Sequence, residues 1–292
     1  MFDLLKLFLV FALILLLLRK KLNIGLVMLI AASLLFVLYQ MPFTSIGKTC
    51  KEAALNSVTI KLILALSFIR IFELILREHA VLTQMMSTVK SIFKNSKIVA
   101  ISMPLLIGLL PSVGGAYFSA PMVAEATRDT KMMPEEKGFI NYWFRHPWEY
   151  ILPLYPGILL ASAISKVELH NLIVVNFTYA VLILLTGFIF GMRGVKGVKK
   201  AEAEEPLSKR GLWSFLPIIL VLMLVVIFHI ELHIALIVVV ISLLVFYRYN
   251  PRSVLSALKR GFSLEVIILI VGIMLFKETM ENSGAVRNLS QF

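Results

Sequence analysis

Cysteine is almost missing: Cys50 is the only one in 292 residues. That excludes an internal disulfide framework and any cysteine-rich metal site, and leaves Cys50 to pack as a small hydrophobe. Charge is sparse and lopsided, 29 Lys and Arg against 17 Asp and Glu. No basic domain collects the excess, so nucleic acid is not an expected partner. Enzymatic signatures are also lacking: there is no His-Glu-x-x-His, no Gly-x-Ser-x-Gly and no Gly-x-x-x-x-Gly-Lys. His229, Glu231 and His233 alternate, but between two helices such ligands diverge, so no metal site is assigned and no enzyme is expected.

Apolar residues are abundant. At 59% of the chain and a mean hydropathy of +0.91, they exceed what soluble domains carry and point to the membrane class. Leu4 to Leu18 is followed, not preceded, by Arg19-Lys20-Lys21 and has no small-residue cleavage pattern, so it reads as a first spanning helix and not a signal peptide. Spans are predicted at 3–18, 22–39, 58–77, 139–165, 170–192, 212–230, 232–247 and 262–280.

The stretch Met103 to Pro121 is apolar enough to enter a bilayer, yet carries Pro111, Ser112, Gly114 and Gly115 in its middle. A continuous helix over 98–127 would be about 45 Å long, against a hydrocarbon core of ~30 Å. Two half-helices meeting at the Pro-Ser-Val-Gly-Gly tip fit better. Charge parity gives the same answer. Basic clusters lie at 19–21, 77–97, 128–145, 193–210 and 248–260. All fall on one side, the cytoplasm, only if 98–127 enters and leaves from that side as a re-entrant hairpin. The N-terminus is then outside, and the loops at 40–57, 166–170 and 229–233 are outer loops. Between the third span and the hairpin, Leu82, Met85, Met86, Val89, Ile92 and Phe93 recur at helical spacing. They make either an amphipathic helix on the membrane surface or a linker helix packed on protein.

The expected fold is therefore an all-α polytopic membrane protein of about eight spanning helices plus one re-entrant hairpin. A weak internal repeat at a shift of 205–210 sets Leu22-Asn-Ile-Gly-Leu26 against Leu232-His-Ile-Ala-Leu236, and Tyr39 against Tyr249. Five crossings in residues 1–192 would make the second copy inverted, the architecture of many secondary transporters. Residues 193–211 read as a cytoplasmic linker, and 212–292 as the start of a second copy whose own hairpin is not reached. Either the chain is a fragment of a longer protein or the repeat reading is wrong.

At the hairpin tip Ser112, Gly114, Gly115 and Ser119 offer backbone N–H groups and hydroxyls, suited to a carboxylate or other oxyanion near a helix N-terminus. The following segment, Asn141-Tyr-Trp-Phe-Arg-His-Pro-Trp-Glu-Tyr-Ile-Leu-Pro-Leu-Tyr-Pro-Gly157, holds three prolines in ten residues and cannot be one regular helix. Asn141 at its head joins the expected substrate-binding set. His146 and Glu149 could carry protons, or His146 could sit in an interfacial belt with Trp143 and Trp148. Arg70 and Glu73, three apart in the third span, can pair and are candidates for coupling or gating. Asn176 and Thr178 in the fifth span are expected to hydrogen-bond between helices.

On Leu110-Pro-Ser-Val-Gly-Gly-Ala-Tyr-Phe-Ser-Ala-Pro121 and the Arg-His-Pro-Trp-Glu segment, the chain resembles the ion-transporter superfamily of secondary carriers. That group includes gluconate permeases, arsenite permeases and divalent-anion sodium symporters. Within it, the chain looks most like an uncharacterised prokaryotic family of integral membrane proteins. The resemblance implies a homodimeric carrier in the cell membrane, coupled to H+ or Na+, moving a small and organic anion by alternating access, with no other cofactor. Ser112, Gly114 and Gly115 would line its site. The competing classes are a non-transporting membrane scaffold or accessory subunit and a membrane-embedded enzyme.

Overall fold

The computed structural model describes residues 2–93, 96–111, 115–128, 130, 132–191 and 209–286, and among these every regular element is helical. In chain order they are α1 (Phe2–Arg19), α2 (Ile24–Leu38), α3 (Phe43–Leu55), α4 (Ser57–Glu78), α5 (Val81–Ile92), α6 (Ser96–Gly108), α7 (Gly115–Ala126), α8 (Pro134–Trp143), α9 (Pro156–Ser165), α10 (Leu169–Thr186), α11 (Lys209–Trp213), α12 (Leu216–Leu222), α13 (Leu232–Phe246), α14 (Pro251–Gly261) and α15 (Leu264–Asn282). A 3-10 turn covers Pro147–Tyr150, and π-helical turns continue α10 over Gly187–Gly191 and α12 over Met223–Ile227.

Among the described residues, one helical run, Leu169–Gly191, is long and apolar enough to cross a membrane by itself, with a mean hydropathy of 2.3 over 23 residues. Ile24–Leu38, Ile98–Gly108, Pro156–Ser165, Gly211–Ile227 and Leu232–Phe246 are apolar but shorter.

The chain divides into two compact units, residues 1–68 with 255–292, and residues 69–254. In the first, α2 packs closely along α15. A Cβ placed on Gly25 would lie 2.5 Å from the Ile268 carbonyl oxygen, so the two backbones approach as only glycine permits. Val10, Ile14, Val27, Ala31 and Leu35 form the core there, with Phe276 and Met280 against it. In the second, Ile101, Val123, Met132, Ile140 and Phe144 form a core to which α6, α7 and α8 each contribute.

Two corners repeat in detail. After α2, Tyr39 N–H donates to Leu35 O (2.9 Å), Gln40 N–H to Val37 O (3.1 Å) and Met41 N–H to Phe36 O (3.0 Å). After α13, Tyr247 donates to Leu243 (2.9 Å), Arg248 to Val245 (3.0 Å) and Tyr249 to Leu244 (3.0 Å). Both are Schellman-type ends with a left-handed residue that is not glycine, Gln40 (φ 48°) and Arg248 (φ 54°). The helices before them also begin after left-handed Lys21 (φ 59°) and His229 (φ 53°). Every equivalent pair is offset by the same 208 positions. The backbone thus sets Tyr39 against Tyr247, not Tyr249.

α5 is packed on protein. Val81, Met85, Met86, Thr88 and Val89 are buried, and the close approach of Gly211 in α11 to the Thr88 side chain covers that face. This is the packing the linker reading expects, while Ile92 and Phe93 at its end stay exposed.

Candidate functional site

The hairpin stretch is two short helices. α6 stops at Gly108, α7 starts at Gly115, and the two pack side by side. At about 1.5 Å per residue each is close to 20 Å long, too short to cross a hydrocarbon core. Ser112 and Gly114 lie outside the described residues. Gly115 is the first residue of α7, and Ser119, one turn on, is fully buried.

The proline-rich segment breaks where the prolines fall. α8 ends at Trp143, and α9 begins at Pro156. Pro134, Pro147 and Pro156 each occupy the first turn of their element, where the missing N–H has no intrahelical partner to lose. Between Phe144 and Tyr155 the backbone is irregular apart from the single 3-10 turn.

Side-chain donors tie this irregular segment to its neighbours. At the end of α6 the helix tightens, Leu109 N–H donating to Leu106 O and Leu110 N–H to Ile107 O, which frees the carbonyl of Leu105. Trp148 Nε1 donates to that oxygen at 2.7 Å, and Tyr155 Oη donates to Gly108 O at 2.6 Å. Gly108 itself has no room for a side chain: a Cβ there would meet the Arg145 carbonyl oxygen at 2.5 Å. On the other side, Trp143 Nε1 donates to Ile183 O (2.8 Å) and Asn176 Nδ2 to Tyr150 O (3.1 Å), both reaching between the segment and α10. Trp143 and Trp148 are therefore fasteners between elements.

Of the other residues singled out in the sequence, Asn141 sits on α8 at 8% exposure, in the unit to which the hairpin belongs. His146 and Glu149 do come together, Nε2 to Oε1 3.7 Å, both partly exposed. His146 Nδ1 lies 2.5 Å from the Tyr142 carbonyl, an acceptor, so Nδ1 carries the proton and Nε2 faces Glu149. Glu73 takes its hydrogen bond from Arg77, one turn on, at 2.6 Å. Arg70, the partner expected from spacing, acts on Glu73 through its charge. Arg77 and Thr83 are the polar side chains lining a cavity of about 110 Å³ closed by Leu76, Leu82, Met86 and Ile107. No group of three or more metal-ligating side chains is present among the described residues.

The residues that sequence reasoning missed are Trp148 and Tyr155 in their bonding role. Their signal was weak: two aromatic residues with a polar tip inside a segment too broken to satisfy its own backbone.

A family model described as a protein of unknown function (DUF401) matches residues 2–292. No curated protein matches the chain.

Proposed function

We propose, for a chain that belongs to the DUF401 family, the activity of a secondary transporter of a small organic anion, driven by H+ or Na+ across the cell membrane. The observation that carries this reading is the junction of two broken elements. The end of α6 and the irregular 144–155 segment meet, and Trp148 and Tyr155 satisfy the carbonyls that the break exposes. Irregular backbone at membrane depth survives only where protein buries it or a wet cavity faces it, and carriers build their sites from such interrupted helices. In this reading Asn141, Ser119 and Gly115 at the start of α7 are the anion-binding set, together with Ser112 and Gly114, which lie outside the described residues. His146 and Glu149 are a proton-coupling pair. In this reading the protein is polytopic, with its N-terminus outside, and relates to the ion-transporter superfamily of carriers, which are homodimeric.

The contacts between distant segments support the sidedness. His170 meets His229, and both lie in loops that charge parity assigns outside. Tyr249 Oη donates to Glu78 at 2.6 Å and Tyr247 stacks on His79, all near basic clusters assigned inside. The recurring corners at Gln40 and Arg248 support a duplicated architecture.

The test is uptake of labelled small mono- and dicarboxylates by the purified protein in proteoliposomes, under an imposed proton or sodium gradient. Gradient-dependent uptake, abolished by an ionophore for that ion and by Asn141→Asp, is expected, because a new carboxylate repels an anion. A panel in which nothing enters above protein-free vesicles would sink the proposal.

A further inference from the structure

His170 and His229 stand far apart in sequence and adjacent in space. His170 is in the first turn of α10, and His229 is in the left-handed link that leads into α13. Their ring centres are 4.8 Å apart with the planes tilted by 45°. His229 Nδ1 lies 3.0 Å from the Ile227 carbonyl, which only accepts, so in the neutral ring the proton sits on Nδ1 and Nε2 is the nitrogen left to bind a metal. His170 Nδ1 is shielded from solvent and has no hydrogen-bond partner. A backbone carbonyl that fixes one nitrogen and leaves the other as a base is the usual support of a metal-bound imidazole.

The spacing fits the same chemistry. With metal–nitrogen bonds of about 2.0–2.1 Å and a ring centre roughly 1.1 Å further out, two imidazoles on one tetrahedral ion have centres about 5 Å apart.

We infer that His170 and His229 form a two-imidazole site for a divalent transition-metal ion, Zn2+ foremost, which ties the start of α10 to the start of α13. Water completes the coordination, since two histidines supply two ligands and His233 is engaged with Glu231 at 3.5 Å. Imidazole with water suits Zn2+, Ni2+ and Cu2+ and discriminates against Mg2+ and Ca2+. A bridged ion holds the two links together, and the site does not depend on what the chain carries.

The experiment is zinc titration of the purified full chain by calorimetry, in a Cys50→Ala background that removes the exposed thiol as a competing ligand. One saturable equivalent of ZnCl2 per chain is expected. His170→Asn and His229→Asn each weaken it tenfold or more, and His233→Ala changes it less than twofold. Asparagine accepts the left-handed conformation at position 229, so the fold is kept. Melting temperatures without zinc check that directly. No saturable binding in the Cys50→Ala chain, or binding retained in both asparagine variants, overturns the site. Zinc binding needs no transported anion, so its failure and a failure of uptake are separate results.

Discussion

Trp148 and Tyr155 show how single donors decide whether a broken helix is tolerable. A buried carbonyl stripped of its partner costs about 1–3 kcal/mol. Tyr155→Phe keeps the ring and Trp148→Phe replaces the indole by a smaller one; each removes one donor, leaving Gly108 O or Leu105 O unsatisfied. Each is expected to lower the melting temperature of the detergent-purified protein by several degrees, whereas Tyr150→Phe, at an exposed ring, leaves it within a degree or two. An unchanged melting temperature in both variants would mean that water reaches these carbonyls. Gly108→Ala is the sterner case. The new methyl group meets backbone, the Arg145 carbonyl, and not the end of a flexible side chain. Such overpacking typically costs 1–3 kcal/mol or more. The expected result is poor recovery of monodisperse protein in size-exclusion chromatography.

The elements were legible where punctuation in the sequence is strong. Pro111 with Gly114 and Gly115 marked the break between α6 and α7, and Pro147, Pro153 and Pro156 marked the break after α8. What held these breaks together was not legible, because Trp148 and Tyr155 reach carbonyls 43 and 47 residues away and no local pattern encodes such a pairing. Arg77 was not anticipated as a partner of Glu73 beside Arg70, because spacings of three and four both place charges on one helix face. The expected repeat set Tyr39 against Tyr249, whereas the corners recur at Tyr39 and Tyr247, since leucine-rich helices align almost equally well two positions apart. Backbone geometry fixed the register through the left-handed residues. Gln40 and Arg248 hold a conformation that costs a side-chain-bearing residue roughly 1–2 kcal/mol. Glycine relieves that strain but gives back up to about 1 kcal/mol through the unfolded chain. Gln40→Gly and Arg248→Gly are therefore expected to stabilise by about 0.5–1 kcal/mol each, read as matching small rises in melting temperature. A rise at one corner and a fall at the other would show that the corners are not equivalent.

At the scale of the whole molecule, the proposed carrier stands or falls on which residues share a side of the membrane. Charge parity used only Lys and Arg counts, while the contacts between distant segments depend on packing, so agreement between them is not built in. In residues 69–254, the links bearing Lys166, His170 and His229 gather at one place through the His170–His229 contact. Glu78, His79, Tyr247 and Tyr249 gather at another. If α10, with its 23-residue apolar run, crosses the bilayer, its first turn and its last lie on opposite sides. The Trp143 bond to Ile183 then places the end of α8 toward the inner side. Exposed Lys166 and exposed Gln84 thus report opposite faces. Single-cysteine variants at these positions, made in Cys50→Ala, should be separable in intact cells with a maleimide that cannot cross the membrane. Lys166→Cys is expected to react at once, and Gln84→Cys only after the membrane is permeabilised. Thr130→Cys, beyond the hairpin, should behave as Gln84→Cys does, because a re-entrant pair of helices returns the chain to the face it left. If Thr130→Cys reacts with Lys166→Cys instead, α6 and α7 together cross the bilayer. The junction at Gly108 would then be a kink in a spanning element, and the anion site proposed at the hairpin would lose its physical basis.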